Sequence, residues 1–195
     1  WQDTIFNGDP MTCNMKKLML PDFFQASEVP IVHKFYRNYF KDCYVCGDVD
    51  YIFGPNTAFF DHCEIHSIAR VSEGKAYITA ASTPAGQEFG LVFSHCRITG
   101  EEPDSVYLGR PWRDCAKTAF ICCELGDHIC PEGWQNWGKV RAEVLSDYIE
   151  YGNFGPGADC SGRSPLSRCL VNPEVETYFS KENVLVGEDG WIPAE

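Results

Sequence analysis

Hydrophobic and polar positions along this chain repeat as a short motif, with no helical period. The segments FKDCYVCG from Phe40, FDHCEIHS from Phe60, FSHCRITG from Phe93 and FICCELGD from Phe120 share Phe, two residues, Cys, one residue, then Val, Ile or Leu. Their starts lie 20, 33 and 27 residues apart, the span of one supersecondary unit but too irregular for a helical-repeat array. Within each segment Cys and the following aliphatic residue share strand parity, whereas Phe and Cys do not, so a corner between Phe and Cys is needed for all three to face inward. Short strands joined by corners and stacked once per turn predict an all-β fold, a parallel β-helix. Cys43, Cys63, Cys96 and Cys123 then form an internal column, which suits free thiols acting as small apolar groups; a ladder of disulfides is the alternative.

Two stretches depart from the repeat. Residues 7–34, rich in Pro, Met and Phe, read as a loop inserted between rungs. Within 170–187, Asn172 is an N-cap, Pro173 takes the first helical position, Glu174 and Glu176 fill the first turn and Gly187 is a stop, so the pattern predicts a terminal helix packed on the rungs. A third stretch, GDVDYIFG from Gly47 to Gly54, places Asp48 and Asp50 inside an apolar run. Continuing the strand from Cys43, Val45 and Gly47 puts both carboxylates on the outward face, where they need not enter the core.

Composition narrows the functions. With 195 residues and 44% hydrophobic content the chain forms one domain with a sizeable core. The formal charge of -12 and the lack of any Lys/Arg cluster argue against a nucleic-acid partner. No apolar run approaches the roughly 20 residues of a membrane span, and no signal peptide is visible at WQDTIFNGDP. The eleven cysteines are an odd number. Cys43 and Cys46 form a lone C-x-x-C whose side chains point to opposite faces of a strand, and the histidines form no H-x-x-x-H pair, so no metal site is expected.

Four motifs in order, the N-terminal WQDT, GDVDYIFG, YLGRPW from Tyr107 and ICPEGWQNWG from Ile129, resemble those of the pectinesterase (pectin methylesterase) family, and the likeness runs from Trp1 to GEDGWIP. It implies a right-handed, pectin-lyase-like parallel β-helix, in agreement with the rungs. The length between Asp3 and Asp50 is more like that of bacterial members. The resemblance implies that Asp50 is the nucleophile, Asp3 the general acid/base, Gln2 an oxyanion donor and Arg110 the guanidinium that holds Asp50. Trp112 and Trp134 become sugar-binding candidates, and Asp48 is left as a surface group. The substrate would be methyl-esterified homogalacturonan, with no cofactor, acted on by a monomer outside the cell or in its envelope. Chemically, a carboxylate attacks the ester carbonyl, an amide stabilises the oxyanion and a second carboxyl group carries the proton.

Two departures qualify the likeness. The family has further β-helix turns before Q-D-T, including another oxyanion-hole Gln, so this chain is expected to be the catalytic and C-terminal part of a longer enzyme; losing one such donor costs on the order of 3 kcal/mol of transition-state stabilisation. PNTA at 55–58 replaces a smaller turn. Two other readings stay open: a β-helix lyase or hydrolase of the pectin backbone, and a non-catalytic carbohydrate-binding β-helix. A lyase would want a calcium-binding Asp cluster, which the sequence lacks.

Overall fold

The computed structural model describes residues 4–7, 18–19, 37–70, 73–187, 189–191 and 193. All strand pairs are parallel, and the strands form three sheets. The first face stacks β1 (Thr4–Asn7), β3 (Arg37–Lys41), β6 (Thr57–Asp61), β9 (Leu91–Ser94), β12 (Lys117–Ile121), β14 (Asp147–Tyr151) and β15 (Ser167–Leu170). The second stacks β4 (Tyr44–Gly47), β7 (Glu64–Ser67), β10 (Arg97–Gly100) and β13 (Glu124–Leu125), and the third stacks β2 (Leu18–Met19), β5 (Val49–Gly54), β8 (Ala76–Ala81) and β11 (Val106–Gly109). The chain visits the faces in rotation, which makes it a parallel β-helix.

The repeat is the physical basis of the stack. Phe40, Phe60, Phe93 and Phe120 are in register and fully buried, with ring centroids 4.6, 4.6 and 4.5 Å apart and planes within 9° of parallel. That spacing is the interstrand distance, so identical residues at one position per rung stack without adjustment. The expected corner lies between Phe and Cys in every case. Its residue, Asp42, His62, His95 or Cys122, has φ between 51° and 53°. This left-handed residue turns the chain so that Cys again faces inward. Cys63, Cys96 and Cys123 each donate a thiol hydrogen bond to the Phe carbonyl one rung back, at 3.3 to 3.4 Å. None of the four column cysteines is bridged to another of them.

The fifth rung breaks the pattern. Glu150 sits in register with Phe120 and is 2% exposed; Gly152 takes the left-handed corner, and Asn153 Oδ1 accepts the Cys123 N–H. Arg163 meets both Glu150 oxygens at 2.9 and 3.0 Å, and Trp134 Nε1 donates to Glu150 Oε1. A buried carboxylate is tolerated here because its lone pairs are satisfied. A Cys160–Cys169 disulfide closes this end.

Three expectations change. Leu18–Met19 pairs with Ile52 and Phe53 of β5, so the stretch expected to loop out contributes a strand to the third face; the rest of residues 8–34 lies outside the described residues. The terminal helix is two short helices, α2 (Glu174–Tyr178) and α3 (Lys181–Leu185), the second started by Ser180 Oγ accepting from Asn183 N–H. Asn172 Oδ1 does accept from Glu174 N–H at the start of α2. Val184 and Leu185 are buried in a cluster with Tyr39 and Phe59, which docks this segment on the first face. Asp48 and Asp50, finally, do not share a strand: the chain turns from the second face to the third at Asp48, between β4 and β5. No described helix is long and apolar enough to cross a membrane.

Candidate active site

Asp50 is aimed outward by a local irregularity. The register between β5 and β8 shifts between Val49 and Ile52, and Asp50 itself has φ of 49°. Such a bulge re-aims one side chain while its neighbours stay in the core. Accordingly Tyr51 and Ile52 are both buried, and Asp50 is only partly covered. Asp tolerates the left-handed region better than most residues, so the site combines a strained backbone with a residue suited to it.

Arg110 follows β11, two rungs along the third face from β5. Its backbone N–H is fixed on Thr79 O at 3.0 Å. The preceding Gly109 is required there, because a Cβ would stand 2.0 Å from Thr79 Oγ1. Two rungs span roughly 10 Å, within the reach of an arginine side chain laid across β8. The guanidinium lies over the Tyr77 ring of β8 at 3.8 Å, with Trp137 on it at 3.7 Å. Held between these rings, it donates from Nε to Asp50 Oδ1 at 2.9 Å and from its second terminal nitrogen to Asp50 Oδ2 at 2.6 Å. The fork fixes both carboxylate oxygens in a plane, which an ammonium cannot do. The Asp50 and Arg110 side chains are 18% and 15% exposed, shielded yet open to a ligand.

Beside this pair Trp112 is half-buried, its ring edge-on to Phe53 of β5 at 5.6 Å, and Arg113 lies over it at 5.6 Å. Lys139 Nζ donates to Pro111 O and Trp112 O at 2.7 and 2.9 Å and sits 4.6 Å from the Trp137 ring. Burial, with Arg113 and Arg110 nearby, pushes the pKa of its ammonium down. Lys139 thus ties the turn carrying Trp137 to the turn carrying Trp112.

The sequence-derived residues divide clearly. Asp50, Arg110 and Trp112 come together. Gln2 and Asp3 lie outside the described residues. Asp48 is exposed, and its side-chain Oδ1 accepts the N–H of its neighbour Val49. Trp134 is not available to a sugar: it is 1% exposed, stacked on Tyr148 at 4.2 Å and bonded to Glu150. The tryptophan of that motif which reaches the site is Trp137, 38% exposed, with Tyr77 as its counterpart. A signal for it exists in the sequence. In QNWG, Asn136 Oδ1 accepts from Gly138 N–H while Trp137 and Gly138 both have positive φ, an Asn-x-Gly turn that lifts the aromatic out of the core.

The Pectinesterase family profile matches residues 25–188. Pectinesterase 31 of Arabidopsis thaliana is 40% identical over 140 residues, covering 71% of this chain and 43% of that protein. Among solved structures, carrot pectin methylesterase superposes with a TM-score of 0.71 at 30% identity, over 81% of this chain and 52% of that one. Pectin methylesterase from Yersinia enterocolitica gives 0.62 at 29%, over 77% and 53%. The chain therefore spans about half the length of the relatives it matches, plant and bacterial alike. With the match extending over most of its residues and the Asp50–Arg110 pair in place on the third face, the chain belongs to the pectinesterase family.

Proposed function

We propose that the chain carries the ester-cleaving centre of an enzyme that removes methyl groups from the galacturonate units of pectin, leaving pectate and methanol. The observation that carries this reading is the outward Asp50 carboxylate clamped by Arg110 between Tyr77 and Trp137. A pectin methylesterase of the same fold has been solved with a hexasaccharide, at 27% identity and a TM-score of 0.64, which supports an oligosaccharide chain as the ligand.

In this mechanism Asp50 attacks the C6 carbonyl of the methyl ester. The carbonyl electrons move onto oxygen, where Gln2 donates a hydrogen bond, and return as the C–O bond to methanol breaks, leaving an anhydride between Asp50 and the uronate. Asp3 gives methanol its proton and then takes one from the water that opens the anhydride. Arg110 keeps both Asp50 oxygens in plane and directed at the substrate, and Trp112 offers an apolar face to the neutral methylated sugar. No step needs a metal or cofactor. The protein acts as a monomer on cell-wall pectin outside the cell or in its envelope.

Incubation with highly methylated pectin tests this. Methanol without new reducing or unsaturated ends is the expected product. Cleaved backbone would mean a hydrolase or lyase, and binding without methanol would mean a carbohydrate-binding module.

A further inference from the structure

The left-handed corners that turn each rung also line up on the outer surface, away from Asp50. His62, His95 and Cys122 occupy this position in successive rungs, and α2 brings Glu176 against them. His95 Nε2 lies 3.8 Å from a Glu176 oxygen, and one nitrogen of His95, the Cys122 sulfur and a Glu176 oxygen all lie within 4.8 Å of one another. We propose that these three side chains bind a zinc-class divalent cation that staples the C-terminal helical segment to two rungs of the β-helix.

Four features make this more than a surface cluster. The donor set mixes a thiolate, an imidazole and a carboxylate, which suits zinc better than calcium or magnesium, since those prefer oxygen alone. Ser94 Oγ hydrogen-bonds with His95 Nδ1 at 3.0 Å, which orients the ring and leaves Nε2 for the cluster, as an outer partner does for a ligating histidine. The His62 ring stacks on His95 at 5.2 Å and 8° and is itself held by Asp61 at 2.6 Å, so the imidazole has little freedom to swing away. On the far side the next corner is Gly152, where an added Cβ would stand 3.0 Å from the Cys122 sulfur; the rung thus presents no side chain against the thiol.

Charge agrees with the donor geometry. Binding releases the Cys122 proton, so thiolate plus carboxylate balance the two charges of the ion and imidazole stays neutral. The three donors must close by about 1 Å to reach metal–ligand distances, a shift within reach of side-chain rotation at the exposed His95 and Glu176. The ion would bridge β9, β12 and α2, and as a ligand of the folded state alone it would raise stability.

Titration of the full chain with Co²⁺ as a spectroscopic stand-in, followed by Zn²⁺ competition, tests the assignment. One equivalent should bind with a thiolate-to-cobalt charge-transfer absorption, be displaced by Zn²⁺, and raise Tm. Cys122→Ser should abolish the charge-transfer band. His95→Asn, which tolerates the left-handed corner, and Glu176→Gln should each weaken binding at least tenfold, while methanol release is unchanged in all three. A charge-transfer band that persists in Cys122→Ser, or Co²⁺ binding without any such band in the parent chain, would overturn the proposal. Zn²⁺ binding that protects Cys122 from alkylation in the parent chain and leaves Tm unmoved would refute the staple.

Discussion

His128 gives the fold a defined acid sensitivity. It is 1% exposed, and neither ring nitrogen has a hydrogen-bond partner among the described residues. Its ring packs on Gly100 and Gly126, where any Cβ would collide with it. Burial lowers its pKa from 6.5 to about 4, against a partial offset from Asp127 and with a further lowering from His66. Because the folded value lies below the unfolded one, the unfolded chain binds more protons between pH 6.5 and 4, so this histidine removes stability as pH falls through that window and the loss is complete below about pH 4. The limit is set by 1.36 kcal/mol for each pH unit of difference, about 3 kcal/mol in total and at most about 2 kcal/mol by pH 5. Urea unfolding of the parent chain and of His128→Leu at pH 7, 6 and 5 isolates the contribution, since every other titrating group is common to both. The gap between parent and variant should shift in favour of the variant by about 1–2 kcal/mol from pH 7 to pH 5. A gap that stays constant with pH would show that His128 is hydrated or charged in the folded state.

Three further predictions follow from the core and the cleft. Phe93→Ala removes a fully buried ring between two stacked neighbours and should cost about 3–5 kcal/mol in urea unfolding; a loss under about 1 kcal/mol would mean the stack does not bind the rungs together. Alkylation followed by mass analysis without reduction should find Cys43, Cys63, Cys96 and Cys123 unlinked and labelled only after denaturation, with Cys160 and Cys169 joined; any linkage within the column would contradict the register of the rungs. With a net charge of -12, methanol release should favour highly methylated over sparsely methylated pectin at low ionic strength, and salt should narrow the gap by screening beyond about 10 Å; a preference for the sparsely methylated substrate that grows as salt is removed would mean that Arg113 and Lys139 beside the cleft outweigh the net charge.

The parts of the fold legible in the sequence are those that recur once per rung. Phe, the left-handed corner, Cys and the aliphatic residue each face the same neighbours above and below, so one pattern predicts stacking, parity and the free thiols together. What was hidden lies where a rung departs from its neighbours. The parity that ran from Cys43 to Asp50 assumed a continuous strand, but the chain turns at Asp48 and bulges at Asp50, so outward exposure of Asp50 has a different cause from the one the pattern suggested. Glu150 occupies a phenylalanine position and is stable only through Arg163 and Trp134, which are distant in sequence; no local pattern carries that pairing, nor the Cys160–Cys169 bridge. The same long-range dependence explains the tryptophans. Trp134 is drawn into the core by Glu150, whereas the turn chemistry around Asn136 and Gly138 leaves Trp137 free to cover Arg110.

In the proposed mechanism Asp50, held by the Arg110 fork, is the group that attacks the ester. Steady-state methanol release by Asp50→Asn and Arg110→Lys, with folding checked by circular dichroism and urea unfolding, tests it most directly. Each substitution keeps volume or charge while removing the nucleophile or the planar fork, so both should lower kcat at least about 100-fold with the fold intact. Methanol release within a few fold of the parent by a folded Asp50→Asn protein would remove Asp50 from the mechanism as the attacking group.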